Sequence, residues 1–263
     1  MADGTAATDW RQRLGLLRSL AIYWRPGRQG PLRRLYGRFV GPGDLAFDIG
    51  AHVGDRSVAL ADLGARVVAV EPQPQLLPWL ERCACRRPGR ISVVAAAVGA
   101  RPGTAELAVN RANPTISSAS TAWRNAVRTH NRGFRHQRWD RHINVPVITL
   151  AELIREYGEP AFCKIDVEGY EAEVLAGLDR PLRALSFELV GGALGVAEAA
   201  VGHLARLGDY EYNFIPGESR RFAWAQWHSG ERVRSWLHHG AGGTASGDLY
   251  ARLSGDAAPR TTT

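Results

Sequence analysis

The run from Leu45 to Asp55 constrains this chain more than any other. Leu45 to Ile49 is a short apolar strand that breaks into Gly50-Ala51-His52-Val53-Gly54, and Asp55 then opens a helical pattern that stops at Gly64. A second strand, Arg66 to Val70, closes with Glu71-Pro72; a helix from about Pro74 to Cys85 and a third strand, Ile91 to Ala95, complete a βαβαβ order. Parallel strands joined by helices require right-handed crossovers, so the order predicts a doubly wound α/β sheet of the Rossmann-like kind, with ligands held outside the carboxyl ends of the strands.

The alternation resumes downstream with a helix at Leu150 to Tyr157, a strand at Ala161 to Ile165, a helix from about Tyr170 to Leu178 and a strand at Ala184 to Leu189. After a helix at about 196–207, Tyr210 to Ile215 and Asp248 to Leu253 read as a C-terminal antiparallel pair closing a mostly parallel sheet. The expected organisation is one domain over 41–253, with an irregular substrate-side insertion at about 103–147 and a frayed tail at 254–263. Residues 1–40 read as an extension of two short helices on either side of Pro26-Gly27, carrying Leu16, Leu17 and Leu20, then Leu32, Leu35, Tyr36 and Phe39. They would cover one end of the sheet, act as a lid over a substrate, or touch a membrane surface weakly through arginines.

The first turn has the layout of a nucleoside half-site. Glycines at 50 and 54 let backbone approach a ligand, and Glu71, 23 positions after Asp48, is placed to accept both hydroxyls of a ribose. Two cofactor classes share this layout. In the dinucleotide pattern G-x-G-x-x-G counted from Gly50, the later glycines would fall at His52 and Asp55, and a carboxylate at Asp55 repels a pyrophosphate. A sulfonium nucleoside brings no phosphate and carries cationic groups that carboxylates stabilise, so charge favours it over a nicotinamide dinucleotide.

A second constellation, Lys164-Ile165-Asp166-Val167-Glu168-Gly169-Tyr170-Glu171, stands at another strand end. Period-two alternation puts Lys164 and Asp166 on one side of the strand, and a doubly wound sheet sets this turn beside the first. Its carboxylates would then face the reactive end of a cofactor. Lys164 is the only lysine in the chain, so the net charge of +7 is an arginine excess of the kind that biased codon usage produces. No run interleaves arginine with exposed aromatics in a stacking pattern, and no nucleic-acid partner is expected; the stretch Arg132 to Arg141 is better suited to an acidic substrate. Cys83, Cys85 and Cys163 lack paired CxxC spacing and point to a reducing, cytoplasmic setting. The apolar stretch Leu14 to Trp24 is broken by Arg18 and is too short to span a bilayer, so no signal peptide and no stable membrane insertion are expected.

The runs FDIGAHVGDRSVAL, VVAVEPQP, VVAAAVG, VPVITLAELIREYGEPAFCKIDVEGYEAEVLAGL, LSFEL and GDLYARL, in this order and at these separations, resemble the FkbM family of methyltransferases over roughly residues 15–253. The resemblance implies a class I methyltransferase fold, S-adenosyl-L-methionine as cofactor, and transfer of a methyl group, usually to a hydroxyl oxygen. By position it implies that Asp48, Gly50, His52 and Gly54 line the methionine end, Glu71 takes the ribose, Ala96, Ala97 and Val98 lie near the adenine, and Asp166 and Glu168 border the transfer site. Ala51, Asp55 and Pro72 complete the expected cofactor set. The chain departs from the family in carrying His52 where asparagine is common, and in lacking an acidic residue near Ala95.

An alcohol is not ionised at neutral pH, so transfer to oxygen needs a proton acceptor, expected at Asp166 or Glu168 with His52 as the lesser candidate. A divalent cation held by Asp166, Glu168 and Glu188 is the alternative way to acidify a hydroxyl. His130, His136 and His142 lack ligand spacing, and Trp123, Trp139, Trp224 and Trp227 either stack on an acceptor or simply pack. The acceptor class is a small molecule, a saccharide or a lipid-linked group. Nitrogen methylation, cofactor binding without catalysis, and a NAD(P)-dependent oxidoreductase are the competing readings; the absence of an Asn-Pro-Pro-Tyr run after the fourth strand favours oxygen over nitrogen.

Overall fold

A computed structural model describes residues 6–255, with side chains from Trp10 onward. Helices α1 (Ala6–Tyr23) and α2 (Gln29–Tyr36) precede the strand-and-helix series β1 (Leu45–Ile49), α3 (Asp55–Asp62), β2 (Arg66–Val70), α4 (Leu77–Cys85) and β3 (Ile91–Val94). A short strand β4 (Ala97–Val98) leads to β5 (Gly103–Val109), α5 (Thr121–His130), β6 (Arg141–Ile148) and α6 (Leu150–Tyr157). The chain continues through β7 (Phe162–Ile165), α7 (Glu171–Ala176), β8 (Ala184–Val190) and α8 (Leu194–Leu207), then β9 (Tyr210–Pro216), β10 (His228–Ser229), α9 (Gly230–His238) and β11 (Ser246–Leu253).

The main sheet runs β10-β9-β11-β8-β7-β1-β2-β3. Strands β3, β2, β1, β7 and β8 are parallel to their neighbours, whereas β11 enters between β8 and β9 and pairs antiparallel with both. This is the strand arrangement of class I methyltransferases, and the order reverses between β1 and β7, the place where an open α/β sheet receives its ligand. The expected pair, Tyr210 to Ile215 with Asp248 to Leu253, lies within β9 and β11.

Each central strand is buried on both faces, which is why β1 reads as an apolar run. Leu45, Phe47 and Ile49 pack with the α6, α7 and α8 side, while Ala46 faces α2 and α3. There Phe162 stacks on Phe39 with ring centroids 4.8 Å apart, and Tyr36 and Tyr250 close the cluster. Burying such a ring stabilises the fold by about 2–3 kcal/mol. Helix α6 is started by a capping box in which Thr149 and Glu152 satisfy each other's backbone amides.

Two stretches differ from the sequence reading. The 103–147 segment, expected to be irregular, opens and closes with β5 and β6, which pair antiparallel from Gly103–Val147 to Val109–Arg141 and form a second sheet in the order β4-β6-β5. Its strands are half exposed and carry Arg141 and His142, so no clean apolar alternation marks them. The first helix is one long element rather than a short one. Its buried side rests on the Pro114–Ile116 turn through Gly15, where a Cβ would meet the Arg111 carbonyl, and its outer side leaves Trp10, Leu14 and Leu17 exposed. Of the expected frayed tail, Ser254 and Gly255 form a turn and the rest lies outside the described residues. Among the described residues no helix is long and apolar enough to cross a membrane.

Candidate active site

The two glycine-bearing turns meet. Ile49 is in register with Ile165, and the Asp166 amide donates to the Ile49 carbonyl at 2.9 Å. Gly50 has φ 79°, and a Cβ there would collide with the Asp166 carbonyl oxygen. Only glycine permits this approach.

In the first turn, nearly every acidic group has a partner. Asp48 lies beneath the turn, accepts from the Ser57 hydroxyl, and is pushed up to about 6 by burial. Asp55 pairs with Arg28 at 3.1 Å and Arg56 at 3.5 Å. Glu71 accepts from the His52 amide at 2.8 Å and the Gln73 amide at 2.9 Å, which pins the end of β2 to the turn after β1. Burial still raises its carboxyl to about 7, against the lowering effect of those amides. His52 adopts a left-handed φ of 50°, its ring meets Tyr23 edge-on at 5.3 Å, and its Nε2 is buried without a partner. Burial lowers its pKa to about 4, so the ring is neutral at physiological pH. Trp24 donates from Nε1 to the Val53 carbonyl at 3.0 Å, so the end of α1 covers this turn.

The second turn is arranged differently. Glu168 also has a left-handed φ, 52°, and its carbonyl accepts from Ser118 Oγ at 2.6 Å. Glu171 holds the turn by accepting from the Val167 and Gly169 amides at 3.1 and 3.2 Å. Gly169 is required because Trp123 packs where a Cβ would stand. Lys164, fully buried, bridges Asp166 at 3.2 Å and Asp248 at 3.1 Å. Burial disfavours the ammonium, but the two carboxylates outweigh it and hold the lysine charged. Burial also works against the Asp166 carboxylate, yet Lys164 and Arg56 keep it below the usual range. Glu168 and Glu188 are less supported: burial first, then their acidic neighbours, push both well above the carboxylate range against a weaker pull from Lys164, and Oε2 of each is buried without a hydrogen-bond partner.

The register explains this crowding. Across the strand ends Gly50, Asp166, Glu188 and Asp248 fall in one row, one step beyond the pairs Ile49 with Ile165 and Ile165 with Phe187, and at the pair Asp248 with Glu188. Residues in register on adjacent strands share a face, so three carboxylates are aimed the same way.

Both turns open on one cleft. Of the expected residues, Gly50, His52, Glu71, Pro72, Ala96, Ala97, Val98, Asp166 and Glu168 line it. Asp48, Ala51, Gly54 and Asp55 do not: Asp48 is beneath the turn, Ala51 is in the core, Gly54 caps α3 against Leu80, and Asp55 is turned toward Arg28. The expected repulsion of a pyrophosphate by Asp55 therefore does not operate, because a segment distant in sequence supplies the neutralising arginine. A different charge argument replaces it. The cleft wall carries Glu71, Asp166 and Glu168 and neither arginine nor lysine, which suits a ligand with cationic groups and repels a phosphate. Sequence reasoning did not single out Gln73, Thr115, Ser117 and Ala119 in this wall, and took Tyr170 only as part of the second constellation; the Ser/Thr-rich run at 115–121 was the one signal for Thr115, Ser117 and Ala119. The tryptophans pack on protein: Trp123 against Phe134 and Trp139, Trp224 against Phe214 and Trp236, and Trp227 under Arg252.

Strand order and switch point are those of the class I methyltransferase fold, with an acid-lined cleft at the switch point. The sequence profile of the Methyltransferase FkbM domain matches residues 48–242. The chain belongs to the FkbM methyltransferase family. No curated protein matches the sequence. Among solved structures, a TehB-like SAM-dependent methyltransferase from Corynebacterium glutamicum is 13% identical, with 96% of this chain and all (100%) of that one covered at a TM-score of 0.46. Precorrin-6y C5,15-methyltransferase from Geobacter metallireducens is 15% identical, with 88% of each chain covered at 0.45. Fibrillarin from Aeropyrum pernix, solved with natively bound S-adenosyl-L-methionine, is 12% identical, with 81% of this chain and 68% of that one covered at 0.42.

Proposed function

We propose that this protein transfers a methyl group from S-adenosylmethionine to a hydroxyl oxygen of a small-molecule, saccharide or lipid-linked acceptor, in the cytoplasm. The observation that carries the reading is the buried, unpartnered Glu168 carboxylate on the wall of the same cleft as Gly50 and Glu71. The cofactor supplies a methyl carbon already activated by a sulfonium leaving group, so the protein has to orient, exclude water and take up a proton.

The residues fit that cofactor. Each Glu71 oxygen accepts one backbone N–H and keeps a lone pair for a ribose hydroxyl. Val70, Pro72, Ala96 and Val98 form an apolar slot for a purine, and Gly50 and Asp166 line the part of the cleft that would take the amino-acid arm. Glu168, in its ionised form, takes the acceptor's proton: its Oε2 has no protein partner and the residue stands on the wall of this cleft. His52, neutral but enclosed under Tyr23, shapes the pocket instead.

The test is calorimetry with S-adenosylmethionine followed by a product search with methyl-labelled cofactor, on wild type and Glu168→Gln. The expected result is cofactor affinity within about threefold in the variant and turnover lower on the order of 100-fold. Absence of binding by the wild type, or unchanged turnover in the variant, would refute the proposal.

A further inference from the structure

The row of carboxylates at the strand ends presents a charge problem that the protein does not solve by itself. One oxygen from each of Asp166, Glu168 and Glu188 lies within 4.8 Å of the other two. Lys164 already divides its charge between Asp166 and Asp248, and Arg56, 3.9 Å from Asp166, also serves Asp55 and Glu218. Among the described residues none makes a hydrogen bond to Glu168 Oε2 or Glu188 Oε2, Lys164 acts on both only from a distance, and Glu168 is only 6% exposed.

We propose that Asp166, Glu168 and Glu188 form a binding site for a hard divalent cation such as Mg²⁺ or Mn²⁺ at the mouth of β7 and β8. Oxygen ligands at about 2.1–2.4 Å from a common ion stand at most about twice that distance apart, so the observed spacing suits one ion held by all three. The donor set is entirely oxygen, with no thiol or imidazole among the three, which selects magnesium-like ions over zinc. Burial, with an oxygen of Glu168 and one of Glu188 left without a hydrogen-bond partner, distinguishes this cluster from an ordinary acidic surface.

The inference rests on the proposed transfer to a hydroxyl and gives it an acceptor class, one that binds the ion through oxygen. An alcohol at an open position on the ion loses its proton to the second oxygen of Glu168, since each carboxylate needs to give only one ligand atom. As the carbon–oxygen bond forms, the sulfur–carbon bond breaks and its electron pair stays on sulfur.

Titration of the full chain with Mn²⁺, followed by electron paramagnetic resonance and by thermal melting, tests the site without any turnover. The expected result is one ion per chain and a higher melting temperature; in Glu188→Gln the affinity falls about tenfold or more and melting no longer responds to Mn²⁺. Removing one of three crowded carboxylates does not threaten folding, and calorimetry with S-adenosylmethionine should agree between variant and wild type within about threefold, because Glu188 lies outside the cleft wall. No ion bound by the wild type with or without cofactor, or equal affinity in Glu188→Gln and Glu168→Gln, overturns the site. Ion binding without cofactor binding leaves the site standing and removes the proposed function instead.

Discussion

The two turns share a shape and differ in how they treat charge. Each follows a buried strand, each places a non-glycine residue in the left-handed region, His52 and Glu168, and each needs glycine where the other turn or a packed ring comes close. Strain of this kind costs about 1–3 kcal/mol per residue and persists where surrounding structure enforces it. In the first turn the carboxylates are met by Ser57, Arg28, Arg56 and backbone amides. At the second, Glu168 and the neighbouring Glu188 of β8 each keep a buried oxygen without a hydrogen-bond partner, offset only in part by Lys164. An oxygen already engaged by protein atoms is committed to structure, whereas one without a partner stays open to a proton or a cation. Under the proposed function, the difference fits holding for the first turn and chemistry for the second.

The contact between the turns is the most vulnerable point of that division. Gly50→Ala places a methyl group on the Asp166 carbonyl at a positive φ, so both turns must move. The expected loss is about 2–4 kcal/mol of stability by urea denaturation and a cofactor affinity weaker on the order of 100-fold by calorimetry. Gly43→Ala has the same kind of strain, φ 86°, with nothing near its Cβ, and should cost only about 1 kcal/mol with cofactor binding intact. Equal effects at the two glycines would mean that backbone strain, not the meeting of the turns, sets the result.

How much of this was legible follows from which interactions are local. Gly50, Glu71 and KIDVEGYE stand at strand ends, and the period of the pattern alone locates strand ends and puts two turns side by side at a switch point. What the pattern does not carry is the pairing of distant segments. Arg28 on Asp55, Tyr23 on His52, and Thr115 and Ser117 in the cleft wall depend on α1 and the 110–119 loop folding over the sheet. Asp55 shows the consequence: its place at the helix start was readable, but its charge state as a neighbour of the ligand was not. The β5 and β6 strands were hidden for a related reason, since half-exposed strands do not alternate cleanly.

The first turn also has its own pH signature. Burial raises the Glu71 carboxyl from an ordinary 4.5 to about 7, so between those values the folded chain binds a proton that the unfolded chain has released. Its contribution is present below pH 4.5 and is lost as pH rises through 7, up to about 3 kcal/mol. His52 works in the opposite sense, because lowering its pKa from 6.5 to about 4 removes stability as pH falls through that window. Comparing urea midpoints at pH 5 and pH 8 for wild type and Glu71→Gln isolates the glutamate, since His52, Asp48 and Glu171 are common to both proteins. The variant should lose less stability between the two pH values, by up to about 3 kcal/mol. An unchanged pH difference in the variant would mean that the backbone amides of His52 and Gln73 compensate Glu71 fully.

The smallest effect is the finest probe of the division. Trp24 reaches the first turn through one hydrogen bond, Nε1 to the Val53 carbonyl, while its ring rests edge-on against Trp79 at 6.1 Å. Trp24→Phe removes the donor and keeps most of the ring contact, so the expected cost is that of one neutral hydrogen bond, about 1 kcal/mol. If α1 secures the turn that holds the cofactor, this appears as roughly fivefold weaker cofactor binding with kcat unchanged, because no atom of the second turn has lost a partner. A fall in kcat as large as the fall in affinity would show that the covering helix also sets the position of Glu168, and that holding and chemistry are one mechanical unit joined through the contact between Gly50 and Asp166.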